Sequence, residues 1–90
     1  MDTELSEHEE RIYRVWMHSP SVFSRDPTES ILAFKIANEL RLPGSRVLKV
    51  LRGAPVPDPE LVRNVERFVE EDPTLAFVQE GSARRITLVE

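Results

Sequence analysis

Apolar residues recur at three- and four-residue intervals along most of the chain, and only the last sixteen or so positions switch towards alternation. A helix brings every third or fourth residue to one face and a strand every second, so the change of period predicts helices first and strands last. Ser6 followed by Glu9 fits a capping box and opens a first helix over residues 7–18. Ile12, Val15, Trp16 and Ser19 fall on one side of it, Pro20 stops it, and residues 19–25 read as a loop. A second helix starts with Asp26 as N-cap, Pro27 at N1 and Glu29 at N3, where a carboxylate suits the helix dipole. Its stripe of Ile31, Leu32, Ile36 and Leu40, with small Ala33 and Ala37 beside it, runs to about Leu42.

The run Leu42-Pro43-Gly44-Ser45 separates that helix from a third. Gly44 is expected to take a left-handed turn conformation, and Ser45 to cap the third helix. Over residues 46–52, Val47, Leu48, Val50 and Leu51 fill one arc of a helix, while Ser45, Arg46, Lys49 and Arg52 fill the opposite one. The result is a short amphipathic helix with a cationic outer face. Gly53 ends it, and the prolines of APVPDP stiffen the linker beyond. Asp58-Pro59-Glu60 repeats the cap-then-proline start, and Leu61, Val62, Val65, Phe68 and Val69 keep a helical period until Pro73. Leu48, Val65 and Phe68 are expected in one core. Residues 74–79 and 84–89 are rich in β-formers and are joined at Glu80-Gly81-Ser82-Ala83, with Leu75, Phe77, Ile86 and Leu88 on the shared inner face.

Composition narrows the class. With 90 residues there is room for one core, and no apolar run approaches the roughly 20 residues of a membrane-spanning helix. Cysteine is absent, so neither a disulfide framework nor a thiolate metal site is expected, and with the acidic opening MDTELSEHEER the reading is intracellular. The net charge of −4 is unevenly spread. Residues 1–10 carry five acids and no lysine or arginine, and residues 58–72 carry six acids against Arg63 and Arg67. Between them Lys35, Arg41, Arg46, Lys49 and Arg52 face only Glu39, a basic island in an acidic protein.

Little in the chain resembles catalytic machinery. The three glycines, at 44, 53 and 81, form no phosphate loop, and Glu70-Glu71 sits at a helix end facing solvent. His8 and His18 have no companion at ligand spacing, so neither an enzyme nor a metal or other cofactor is expected. Tyr13, Trp16, Phe23 and Phe34 could stack on unpaired bases, but aromatics at helical spacing in so small a domain are expected in the core. Of the two hairpin arginines, Arg84 and Arg85, alternation sends one to each face; one could touch a phosphate and the other pair with an acid such as Glu80.

The order of helices, four-residue turn, short helix, further helix and hairpin matches a helix-turn-helix followed by a wing. The second half, from residues 46–52 through PDPELV and the helix into Leu75–Val78 to Glu80-Gly81-Ser82-Ala83 and Arg84-Arg85-Ile86, resembles the C-terminal part of the La motif. That resemblance implies a winged helix of RNA-binding proteins with an extra helix before its last strands. In the first half only Phe23-Ser24 with Asp26 resembles the family's aromatic element, whose consecutive tyrosines are missing, so it implies the fold and not the specificity for RNA ends.

Residues 1–90 are accordingly expected to form one α+β winged-helix domain with a flexible lead-in over 1–6. The expected function is non-enzymatic binding of DNA or RNA through Arg46, Lys49 and Arg52, flanked by Arg41 and Lys35 and assisted by Arg84 or Arg85. The competing expectation is a protein-interaction domain whose acidic first and fourth helices meet a basic partner.

Overall fold

The capping box forms as the sequence implies: the Ser6 N–H donates to Glu9 Oε1 at 3.0 Å and the Glu9 N–H to Ser6 Oγ at 3.2 Å. In the computed structural model, which describes residues 1, 3–17 and 27–89, helix α1 then spans Glu7–Met17. Pro20, the 19–25 loop and the Asp26 cap lie outside the described residues. Helix α2 spans Pro27–Leu40, α3 Gly44–Leu51 and α4 Pro59–Glu71, and strands β1 (Leu75–Glu80) and β2 (Ala83–Leu88) follow. The architecture is α+β: four helices and a two-stranded antiparallel hairpin.

Local chemistry accounts for most of the boundaries. Asp58 caps α4 by accepting the Leu61 N–H at 3.1 Å, with Pro59 in the first turn where no N–H is missed. The hairpin pairs Leu75 with Leu88 and Phe77 with Ile86, and the close Glu80–Ala83 pair leaves only Gly81-Ser82 in the loop. Gly81 sits at φ 61° at the first central position, as a type II′ turn demands.

The turn between α2 and α3 differs from expectation. The left-handed residue is Arg41, at φ 56°, and the Leu42 N–H reaches back to the Ala37 carbonyl at 2.9 Å to close the end of α2. Gly44 is the first residue of α3, not a left-handed hinge, and Ser45 lies inside the helix; Pro43 precedes it with no side-chain cap. Gly44 is required for space instead: a Cβ there would lie 2.0 Å from Trp16 Cζ2. At the other end Gly53, at φ 76°, and Ala54 return N–H bonds to Val50 and Lys49, both at 2.9 Å, so α3 ends in the left-handed closure that glycine favours.

Leu32 and Ile36 of α2, Val47, Val50 and Leu51 of α3, and Val65 and Val69 of α4 bury their side chains together, closed from below by Leu75 and Ile86. Leu48 and Val65 join this core as expected, whereas Phe68 lies at its edge, half-buried. Helix α1 adds no fully buried side chain to it among the described residues and is seated through rings, with Trp16 packed at the edge of the core. Tyr13 and Trp16 meet Phe34 edge-on, at centroid distances of 5.3 and 5.4 Å. Val15 is two residues from Tyr13, about 200° round the helix, so it is 74% exposed, and Ile12 is 42% exposed. The expected inward set of Ile12, Val15 and Trp16 thus keeps only Trp16.

Candidate nucleic-acid interface

Helix α3 owes its orientation to its apolar side. With Val47, Leu48, Val50 and Leu51 buried, Arg46 and Lys49 must project outward, and both are exposed. Three residues apart, they stand about 60° from each other round the helix. Among the described residues no acidic side chain pairs with either. Arg41, also exposed, stands at the preceding turn, where it lines a hollow with Trp16 and Gly44.

The remaining cations of the basic island are committed elsewhere. Arg52 Nε donates to Glu29 Oε1 at 2.8 Å, and Glu29 is only 4% exposed. The carboxylate expected merely to suit the α2 dipole therefore ties the start of α2 to the end of α3. Lys35 is half-buried and lines a hollow with Glu4, Ser6 and Glu9 at the other side of α2.

The two hairpin arginines divide as alternation requires, with a different consequence for each. Arg85 on the outer face pairs with Glu80 at 2.8 Å. Arg84 shares the inner face with Ile86, which carries its guanidinium to the C-terminal end of α3. There Nε donates to the Leu51 carbonyl at 3.2 Å, Nη2 donates to the Val50 carbonyl, and the group lies 4.0 Å from the Phe77 ring centroid. The guanidinium satisfies the Leu51 carbonyl, adds to the Gly53 N–H already on the Val50 carbonyl, and as a cation at the helix end opposes the dipole. Arg84 is thus a helix clamp, and the signal for it lay in parity: 84, 86 and 88 share a face.

The acids of α1 are partly neutralised within the helix, where Glu7 accepts from Arg11 at 3.3 Å and Glu10 from Arg14 at 2.9 Å. Two groups have displaced ionisation. Burial between α1 and α2 pushes the Tyr13 phenol up. The Thr74 hydroxyl and amide both donate to Asp72, at 2.6 and 2.9 Å, and hold its carboxyl below the ordinary value. The Met1 side chain packs at the edge of the core, and its ammonium lies 3.4 Å from Asp72 Oδ2.

No family model, curated protein or solved structure matches this chain. The site therefore rests on its own geometry. Among the described residues no three metal-ligating side chains converge, and no helix is long and apolar enough to cross a membrane.

Proposed function

We propose that the chain is a winged-helix module that binds nucleic acid through the outer face of α3. The observation that carries this reading is the pair Arg46 and Lys49. Both are exposed on a helix whose other side is fixed in the core, and neither has an acidic partner among the described residues. In this reading α2, the turn and α3 form the helix-turn-helix, and the β1–β2 hairpin is the wing. Arg52 and Arg84 support the surface from within by holding the end of α3 rigid. Rigid presentation matters because a contact made by a loose helix costs ordering entropy on binding.

The test is salt-dependent binding of labelled duplex DNA and single-stranded RNA. Each cation that neutralises a phosphate releases counterions, so each contact removed lowers the slope of log affinity on log salt by roughly one. Replacing Arg46 and Lys49 by Gln is expected to lower that slope by roughly two and to leave the fold intact. Unchanged affinity and slope in this variant would sink the reading, and the acidic helices α1 and α4 would then become the surface to examine with a basic partner.

A further inference from the structure

Among the described residues two of the three exposed large apolar side chains, Ile12 and Val15, lie together on α1, beside the half-buried Trp16, Leu42 and Phe68 at the edge of the core; the third, Val89, follows β2. Val15, Ile12 and Trp16 line one hollow of about 500 Å³ on α1. Ile12 and Trp16 also line a second, of about 230 Å³, which extends to Leu42 at the end of α2. Leu42 in turn borders a third, of about 220 Å³, that reaches Phe68 on α4. Shared residues make these one strip running from α1 across the end of α2 to α4. A contiguous apolar surface of this kind marks an interaction site, in contrast to single exposed side chains.

The charges along the strip say what fits it. Among the described residues that line it, Arg11, Arg41 and Arg67 with His8 outnumber the one lining acid, Glu71, and Glu7 stands beside Arg11, although the whole chain is −4. Among the described residues Arg41 and Arg67 have no acidic partner, and Arg11 holds Glu7 in an exposed pair that can exchange at little cost. A second copy docked about a two-fold axis would bring this arginine rim against itself, which repels. A phosphate backbone would satisfy the arginines and leave Val15, Ile12 and Phe68 without apolar contact. A helix with an apolar stripe and flanking carboxylates satisfies both, the helix-in-groove mode of recognition.

We propose that this strip is a docking surface for an acidic amphipathic helix of a partner protein, separate from the α3 face. Trp16 is the single tryptophan of the chain and lines two of the hollows, so its emission reports on the site directly. The probe is a synthetic helix of about four turns with leucines at i, i+3, i+4 and i+7 and glutamates between them, compared with the same peptide carrying lysines. The glutamate peptide is expected to shift Trp16 emission to the blue and to move the amides of Val15, Arg41 and Leu42 in NMR spectra, with the lysine peptide at least about tenfold weaker. Val15→Asp and Arg41→Glu, both at exposed positions, should each weaken it by about tenfold or more, while the Arg46 and Lys49 variant of the α3 face binds it normally. Equal binding of both peptides, shifts confined to α3, or loss of peptide binding in the α3 variant would overturn the proposal. So would concentration-dependent shifts at the strip without peptide, which would assign it to a second copy, or displacement of the peptide from Trp16 by an oligonucleotide.

Discussion

Gly44→Ala adds one methyl group to the molecule and is expected to destabilise it. In an ordinary helical position the change would be favourable, by up to about 1 kcal/mol. Here the new Cβ would lie 2.0, 2.2 and 2.3 Å from three atoms of the Trp16 indole. An indole is rigid and planar, so it cannot bend away at one atom; the whole ring must move. Trp16 is itself wedged against Phe34 at 5.4 Å and Tyr13 at 6.2 Å, so moving the ring disturbs both neighbours. The cheapest relief is for α1 to lift, losing ring pairs valued at about 0.5–1.5 kcal/mol each beyond their buried area. That sets a net cost of about 1–3 kcal/mol, in the range of overpacked cores, or a fall in Tm of several degrees. Urea denaturation followed by Trp16 emission reads both the stability and a red shift of the folded state. In a Trp16→Leu background, followed by circular dichroism because Trp16 is the single tryptophan, Gly44→Ala should cost far less than in the parent, because the cost belongs to the pair. A Gly44→Ala protein as stable as the parent, with unchanged emission, would refute the close packing of α1 on α3.

Arg52→Glu should cost roughly 1–3 kcal/mol, because it removes a charge-assisted bond to buried Glu29 and sets a second carboxylate against it, although the 43% exposure of Arg52 tempers the loss; Lys49→Glu should stay within about 0.5 kcal/mol, and thermal melts of the two separate a structural from a surface cation. Arg84→Ala should cost about 1.5–3 kcal/mol by releasing the Leu51 carbonyl, measured by denaturant unfolding and not restored by Lys. Arg41→Gly should stabilise the protein by about 0.5–1 kcal/mol by relieving a left-handed non-glycine residue, and a loss on melting would contradict the closure of α2 described above. Because the Asp72 carboxyl is held down in the folded state, its contribution is full above the unfolded value of about 3.9 and disappears as pH falls through the lower folded value. Asp72→Asn should therefore flatten the pH dependence of stability below about pH 4, and an unaltered acid limb would argue against the Thr74 contacts.

Features whose cause lies within a few residues were legible in the chain. Ser6 with Glu9, Asp58 with Pro59, and the pairing of Leu75 and Phe77 with Leu88 and Ile86 all follow from local chemistry and period. The role of Gly44 was not legible, because Leu-Pro-Gly-Ser looks like a turn in isolation and nothing nearby in sequence announces that Trp16 will occupy the space above it. Helix α1 offered two stripes at the same spacing, Ile12 with Val15 and Tyr13 with Trp16; Phe34 on α2 selects the aromatic one. The candidate site divided in the same way. Amphipathicity alone places Arg46 and Lys49 outward, but no count of charges reveals that Arg52 and Arg84 are drawn into long-range contacts.

The Arg84 clamp also bears on the order in which the chain can fold. An eight-residue helix such as α3 is too short to persist by itself in water, and the side chain that caps its final carbonyls arrives 33 residues later, from the second strand. Contacts of such separation are entropically slow to form and tend to follow a nucleus of nearer ones. The clamp is accordingly expected to close late, so that Arg84→Ala accelerates unfolding while leaving the refolding rate almost unchanged, a φ-value near zero. A stopped-flow chevron with a slowed refolding limb would instead place the hairpin in the nucleus. On the expected order, the basic face reaches its final rigidity only as the last strand docks, and the end of the chain sets the moment at which its middle becomes competent to bind.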